Sequence, residues 1–402
     1  MIAGLARFCG GDISRAEELA QDAIVVALET WPIERVPRNP GAWLITTAKN
    51  RQIDLARRTQ IFRRKREEIG RELQSSGAYV EQPSEAGEAA IDDDVLRLVF
   101  TTCHPSLSRD SQVALTLRML GGLSTDEIAR ALLTTESTVG QRISRAKRTL
   151  ADAGSPFEVP GEDELADRLA AVLGVIYLIF NEGYAATSGD DWMRLDLCED
   201  ALRLGRLMQA QLPGEPEVHG LAALMEIQAS RSRARRGEGG KPVLLLDQDR
   251  SLWDRTLIRR GLTALERARS TPGRKGTYTL QAEIAACHAR AARADETDWR
   301  LIADLYRALA ALTGSPIVEV NRAVAVGMAD GPEAGLDVLE QVAQAPELAH
   351  YHLFFSVRAD LLEKAGRRTE AISDLSKAAS MTDNLREREL LEARIAVLSS
   401  DG

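Results

Sequence analysis

Aromatic residues and cysteines are scarce in this chain of 402 residues. Phe, Trp and Tyr together make up 4% of it. The chain has four cysteines, Cys9, Cys103, Cys198 and Cys287. They stand far apart and show none of the short spacings that bind metals. A disulfide framework is therefore not expected, and reduced thiols in a cytoplasmic protein are the simplest interpretation.

Long apolar runs and strand-like alternation are also missing. The most apolar stretch, Val172–Phe180, is too short to span a bilayer and is expected to form a buried helix. We find no signal-peptide pattern, whereas helical periodicity runs almost throughout. The sequence therefore predicts an all-α protein with no membrane segment, located in the cytoplasm. Its length allows two to four domains.

Acidic residues outnumber basic ones, and the formal net charge is -9. This balance disfavours a protein whose whole surface grips DNA. The charge is uneven, however, because residues 1–66 carry twelve Lys and Arg against seven Asp and Glu, a net charge of +5. A local basic region on an acidic protein is compatible with binding to a phosphate backbone.

The stretch Leu123–Leu150 is typical of two short helices joined by a tight turn. Ser124 and Glu127 have the spacing of a capping box, and Thr135 is suited to cap the second helix. Apolar residues fall on one face of each helix. The outward face of the second helix carries Arg142, Arg145, Lys147 and Arg148. This pattern predicts a DNA-binding helix-turn-helix, with an ordinary helical hairpin as the alternative.

Composition divides the chain into five segments. We predict a basic helical segment, a flexible acidic linker, the helix-turn-helix segment, a helical extension and a set of helical repeats. Their predicted boundaries are 1–66, 67–92, 93–152, 165–290 and 291–398. Glycine and proline clusters mark the breaks between these segments.

A weak repeat runs through the last segment. Ala303, Gly335 and Ala371 occupy equivalent positions, separated by 32 and 36 residues. These steps are close to the tetratricopeptide (TPR) period of about 34 residues, in which small residues let paired helices approach closely. An alanine-rich antiparallel bundle is the alternative interpretation.

Several motifs carry a family resemblance. Ala16–Ala23, Trp31 and Pro40–Asp54 resemble region 2 of an extracytoplasmic-function (ECF) bacterial RNA polymerase sigma factor, and residues 94–150 resemble region 4. The rest resembles the ECF subgroup with a long C-terminal extension ending in TPR-like repeats. The motifs of that extension are Ile176–Thr187, Glu217–Leu224, Asp247–Asp254, Gln281–His288, Thr297–Trp299 and Val320–Ala325.

The resemblance implies a fold and a function. The fold would be all-α, with a region 2 domain, an acidic linker, a region 4 helix-turn-helix domain and a large helical extension with TPR-like helix pairs. The protein would bind the RNA polymerase core, at its β′ coiled coil and β flap, and direct it to promoter DNA. The extension would be regulatory, would take the place of a separate anti-sigma factor, and would offer its helical repeats to a further protein partner.

The resemblance also assigns roles to residues. The residues expected to bind polymerase are Glu17, Glu18, Gln21 and Asp22. Those expected to contact the −10 element are Pro37, Arg38, Asn39, Pro40, Lys49, Asn50, Arg51, Arg57 and Arg58. Those expected to contact the −35 element are Ser137, Thr138, Gln141, Arg142, Arg145 and Arg148.

At three positions we expect a departure from the roles or the pattern that the resemblance implies. Trp43 is expected to serve the core rather than to stack on a base. Gly140 stands where relatives carry a long polar side chain, so one DNA contact is expected to be missing. Met1 falls where relatives are already inside region 2, so the first helix is expected to be short.

No catalytic residue, metal or cofactor is expected. Glu182, Asp249 and the other polar residues of the extension show no metal-binding spacing and no phosphate-binding loop. We expect them to pin helices together. Two alternatives remain open: a helical-repeat interaction scaffold that carries an inactive sigma-like module, and an enzyme in residues 165–290.

Overall fold

The computed structural model describes residues 1–53, 88–132, 134–154, 157–184, 193–237, 243–273, 275–382 and 385–400. Within these ranges the regular elements are helices and no strand occurs, which confirms the predicted all-α fold. None of the described helices is long and apolar enough to cross a membrane. All four cysteines are free, and all except Cys9 are buried.

The chain divides into two compact units. The first comprises Met1–Arg130 and Thr134–Val175, and the second comprises Ala131–Leu133 and Ile176–Gly402. The described parts of the predicted segments 1–66 and 93–152 both lie in the first unit, whereas the second unit contains the described repeats and the extension from residue 176 onward. The predicted domain boundaries themselves stay a prediction.

The described part of the first unit contains helices of 7 to 22 residues. They are α1 (Ile2–Phe8), α2 (Ile13–Glu34), α3 (40–53), α4 (Glu88–Thr102), α5 (Arg109–Thr116), α6 (Thr125–Ala131) and α7 (Glu136–Asp152). A π-helical turn (Leu117–Gly121) follows α5 and is capped by Gly122, whose φ of 76° suits glycine. Because α4 begins at Glu88, this helix includes the end of the segment predicted as a linker. Residues 54–87 lie outside the described part.

The second unit begins within α8 (Glu162–Tyr184) and continues through a series of helices. They are α9 (Leu195–Gln211), α10 (Pro216–Ala229), α11 (Arg255–Ser270), α12 (Thr277–Arg290), α13 (Trp299–Thr313), α14 (Pro316–Asp330), α15 (Pro332–Val342), α16 (His352–Lys364), α17 (Arg368–Met381) and α18 (Leu385–Ser400). From α12 onward each helix packs against the next along the chain.

Local signals set the boundaries of the helix-turn-helix. Ser124 N–H donates to Glu127 Oε2 at 2.7 Å, and Glu127 N–H donates to Ser124 Oγ at 3.2 Å. Thr135 caps α7, since its Oγ1 accepts from Thr138 N–H at 3.2 Å. The predicted capping box and cap are therefore both confirmed. They satisfy backbone donors that a helix start leaves without partners.

Small residues bring the later helices together. A Cβ atom on Gly335 would lie 2.7 Å from the carbonyl oxygen of Ala323, so only glycine lets α15 approach α14 this closely. The apolar core between α14 and α17 contains Leu339, Ala371 and Leu375. This packing is of the kind that small residues at repeat positions predict. The assignment to the TPR type remains a prediction.

Candidate nucleic-acid and polymerase interface

Helix α7 has one buried and one exposed face. Val139, Ile143, Ala146 and Leu150 are buried. On the opposite face the residues predicted to contact the −35 element are accessible: Ser137, Gln141, Arg145 and Arg148 are exposed, and Thr138 and Arg142 are half-buried. The structure therefore brings all six onto the accessible side of one helix.

Two positions on α7 need separate description: Arg142, which forms an ion pair, and Gly140, which has no side chain. Arg142 Nη2 lies 2.9 Å from Asp110 Oδ2 of α5, and the Asp110 side chain is 65% exposed. Such exposed pairs are weak and leave the arginine available to DNA. At Gly140 a Cβ would meet nothing closer than Thr125 Cγ2 at 4.0 Å. Glycine is therefore not required there by packing.

The residues predicted to contact the −10 element begin just before α3 and continue along it. Asn39 Oδ1 accepts from Ala42 N–H at 3.1 Å, which makes Asn39 the cap of this helix. Pro40 occupies its first turn, where the absence of an N–H costs nothing. Arg38 is exposed and Pro37 is half-buried. Asn39 and Pro40 thus have a structural role that is sufficient to explain them, independent of any contact with a base.

Further along α3, each described cation has a neighbour. Lys49 Nζ lies 5.6 Å from the ring centre of Phe8. Arg51 Nε lies 3.0 Å from Asp22 Oδ2, so a residue predicted to bind DNA pairs with one predicted to bind polymerase. Asn50 is exposed. Arg57 and Arg58, also predicted for the −10 element, lie outside the described residues.

Trp43 packs against Trp31 rather than standing free. The two ring centres are 5.4 Å apart in an edge-to-face arrangement, and both residues are half-buried. Aromatic pairs in this geometry stabilise the packing of the helices that carry them. The expected core role agrees with this contact, although neither ring is fully enclosed.

Glu17 occupies a very different position from the other residues predicted to bind polymerase. It is only 8% exposed, whereas Glu18 and Gln21 are exposed and Asp22 is half-buried. Arg118 Nε donates to Glu17 Oε1 at 2.7 Å, and Lys147 donates to Glu17 Oε2. Lys147 belongs to α7, so this carboxylate ties α2 to the helix-turn-helix.

The two cations determine the charge of this carboxylate. Burial by itself raises the pKa of Glu17, but the hydrogen bonds and positive charges of Lys147 and Arg118 outweigh it, so the pKa lies below its ordinary value. Glu17 is therefore ionised at neutral pH. Sequence reasoning missed both partners, because they lie 101 and 130 residues away.

Three polar residues of the extension that an enzyme would draw on have structural partners instead. Glu182 pairs with Arg194. Asp249 caps a short helical turn through Ser251 N–H at 2.8 Å. His219 lies between Gln209 and the carbonyl oxygen of Pro213. Within the described ranges, no group of three or more potential metal ligands occurs.

Comparison with known families gives three matches. Residues 1–61 match Sigma-70 region 2, residues 97–150 match Sigma-70 region 4, and residues 168–269 match a family of unknown function, DUF6596. The first two lie on the segments that carry the surfaces described above. The third covers part of the extension.

A relative of nearly equal length is found among curated proteins. An uncharacterized protein of Rhizobium meliloti (strain 1021) is 42% identical over 391 residues, which is 97% of this chain and 91% of the relative. No solved structure matches the chain. With regions 2 and 4 in order and an equivalent extension, the chain belongs to the family of this Rhizobium protein and is a sigma factor for transcription initiation.

Proposed function

We propose that the chain is an ECF-type sigma factor that recognises −10 and −35 promoter elements and carries a fused regulatory domain. The observation that carries this proposal is the accessible polar and basic face of α7, on a helix capped and packed as a DNA-reading helix must be. The ECF type is supported by the short interval between the two family matches. Residues 62–96 are too few for a further folded region between them.

In this proposal α7 contacts the −35 element in the major groove. Ser137 and Gln141 lie near its start, where side chains reach base edges. Arg145 and Arg148 lie further along and are suited to phosphates. Arg142 joins them after exchanging Asp110 for a phosphate or a guanine.

Region 2 supplies the other two surfaces. Arg38, Asn50 and the cations of α3 are proposed to contact the −10 element. Glu18, Gln21 and Asp22 are proposed to bind the polymerase β′ coiled coil. Glu17 can join them only when its ion pairs with Arg118 and Lys147 separate. Binding to polymerase is therefore proposed to include the opening of this contact.

The extension is proposed to regulate this activity and to offer its TPR-like helices to a protein partner. Its successive helix pairs and the close approach at Gly335 support a repeat architecture. Arg168 donates to the carbonyl oxygen of Phe100 at 3.0 Å, so the start of α8 stabilises the first unit. Experiments on promoter recognition should therefore use the full chain.

The test is run-off transcription with RNA polymerase core and a library of duplexes that carry −10 and −35 elements. The full-length protein should start transcription at defined sites. Arg145→Ala should lower transcription about tenfold through the lost DNA contact. Arg130→Ala, which removes an exposed arginine of α6, is the matched control and should have little effect. Absence of specific transcripts with the wild-type protein would favour the inactive scaffold instead.

A further inference from the structure

The second unit contains a cavity of about 560 Å³ between α8, α10, α12, α13 and α14. This volume is typical of sites for small organic molecules. Its walls combine aromatic rings, aliphatic side chains and amides, and its described lining residues include no Asp or Glu. A cationic ligand would therefore find no counter-charge there.

The charge that does line the cavity is positive. Arg231, directly after α10, is half-buried, and its guanidinium lies 5.9 Å and 5.8 Å from the ring centres of Tyr184 and Trp253. Its Nε is buried without a hydrogen-bond partner. In the part of the chain that the structure describes, no carboxylate pairs with it. A guanidinium that is partly withdrawn from water and has no counter-ion is less favourable than a paired one, and a ligand with a negative group would supply the missing partner.

A second polar group of the wall also lacks a partner. His288 is 6% exposed, and its Nδ1 is buried with no hydrogen bond. Its ring meets Trp299 edge-to-face at 5.2 Å. Burial, together with the charges of Arg231 and Arg250, lowers the pKa of His288 to about 3. The imidazole is therefore neutral at physiological pH.

The remaining polar groups are neutral. Tyr177 Oη donates to Gln281 Oε1 at 3.2 Å. Burial raises the pKa of Tyr306 to about 12, so its hydroxyl keeps its proton. The wall thus offers hydrogen-bonding groups and ring surfaces around a single guanidinium. This arrangement suits a molecule with one negative group and a largely apolar body.

We propose that this cavity binds a small organic carboxylate with an aromatic or aliphatic body, its carboxylate on Arg231 and its body against Tyr278, Tyr306 and Ile284. A guanidinium matches a carboxylate through two parallel N–H donors. A free phosphate would leave the apolar wall uncovered, whereas a neutral aromatic would leave Arg231 unpaired. The extension would in this way report on a metabolite.

The test is isothermal titration calorimetry on the full chain with 2-naphthoate, the uncharged 2-naphthamide, 4-phenylbutyrate and inorganic phosphate. At least one of the two acids should bind, and 2-naphthamide and phosphate should bind about tenfold more weakly or not at all, since one charged hydrogen-bonded contact accounts for such a factor. If neither 2-naphthoate nor 4-phenylbutyrate gives binding heat, the proposal is overturned. Phosphate or 2-naphthamide binding as tightly as the acids would overturn it too.

Variants locate the site. Arg231→Gln should weaken acid binding about tenfold, while Arg233→Gln, which removes an exposed arginine two residues away, should leave it unchanged. Equal affinities of these two variants would exclude Arg231 as the binding group.

Thr313→Trp keeps every charge but adds a bulky ring at an exposed rim position of the cavity. It should also weaken binding, and unchanged affinity would place the ligand elsewhere. Because no polymerase or DNA is present, this result is independent of promoter recognition.

Discussion

Each compact unit contains a charged side chain that is partly or fully buried, and these two side chains differ in whether the chain itself supplies a counter-charge. In the first, the carboxylate of Glu17 is neutralised by Arg118 and Lys147. In the second, Arg231 lies near the neutral His288, and no carboxylate of the described chain forms an ion pair with the Arg231 guanidinium. The first site is complete in itself, whereas the second, under our proposal, gains its counter-charge from a bound ligand.

The comparison of Glu17 with Arg231 suggests how a charged side chain that stabilises the fold can be distinguished from one that binds a ligand. A buried ion whose partners come from distant parts of the same chain holds those parts together, and its removal leaves the partners unpaired. A partly buried ion without a partner lowers the stability of the fold, and a bound ligand of opposite charge would remove that cost. The two kinds of site should therefore respond to neutralisation with opposite signs.

The largest effect is expected when Glu17 is neutralised. Glu17→Gln leaves Arg118 and Lys147 facing each other without their counter-charge, and should destabilise the contact between α2 and α7 by about 3 kcal/mol. Hydrogen exchange of the α2 and α7 backbone amides in the full chain would measure this loss directly.

The matched control is the neighbouring residue. Glu18→Gln removes an exposed carboxylate whose ion pair, in the described part of the chain, is with Arg15 of the same helix. Exposed pairs contribute little, so exchange should change by less than about 0.5 kcal/mol. If both variants exchange alike, Glu17 does not hold α2 against α7.

A smaller effect is expected from pH in the second unit. The pKa of His288 is lowered from 6.5 to about 3. Between these two pH values the imidazole is protonated in the unfolded chain and neutral in the folded chain. Stability is therefore present above pH 6.5 and lost as pH falls below it, by about 1 kcal/mol between pH 7 and pH 5.5. Thermal unfolding at these two pH values measures the loss.

The pH dependence also distinguishes the two sites. The pKa of Glu17 is depressed below 4.5, so its stabilising effect is kept above that pH and lost only at lower pH. His288→Gln should flatten the profile between pH 7 and pH 5.5 without altering the acid limb. A profile that stays the same in this variant would mean that His288 does not carry the loss.

Neutralising Arg231 should have the opposite sign from neutralising Glu17. Arg231→Met replaces an unpaired guanidinium by an apolar chain of similar length, and should stabilise the ligand-free protein by about 0.5–1 kcal/mol, because the lost ring contacts with Tyr184 and Trp253 offset part of the gain. The thermal midpoint measures it, with Arg233→Met as the exposed control. A clear loss of stability would show that the chain itself satisfies Arg231.

Local features of the fold were predictable from the sequence. The capping box of Ser124 and Glu127 and the cap at Thr135 depend on residues three apart, and both were confirmed. The inward and outward faces of α7 followed from helical periodicity in the same way. Each of these signals acts within one or two helical turns, where sequence spacing determines spatial position.

Long-range features were not predictable. The family resemblance assigned the carboxylate of Glu17 to a partner protein, but two cations from beyond residue 100 enclose it. In the sequence His288 is one polar residue of the extension among several, and nothing in the sequence distinguishes Arg231 from other arginines. Their importance comes from what surrounds them in space, and helix packing over more than fifty residues brings these surroundings together.

The smallest stability effect is expected at Asp110, whose pair with Arg142 is exposed and should contribute no more than about 0.5 kcal/mol. Asp110→Asn should therefore barely change the thermal midpoint, yet it removes a negative charge beside the DNA-reading face and frees Arg142. Affinity for promoter duplex should rise about threefold, and the excess over wild type should shrink at high salt because it comes from charge. Fluorescence anisotropy with a labelled duplex would measure it, and Asp126→Asn, on the exposed side of α6, controls for general charge. A rise of equal size in both variants would show that Asp110 acts through net charge alone and that Arg142 does not contact DNA.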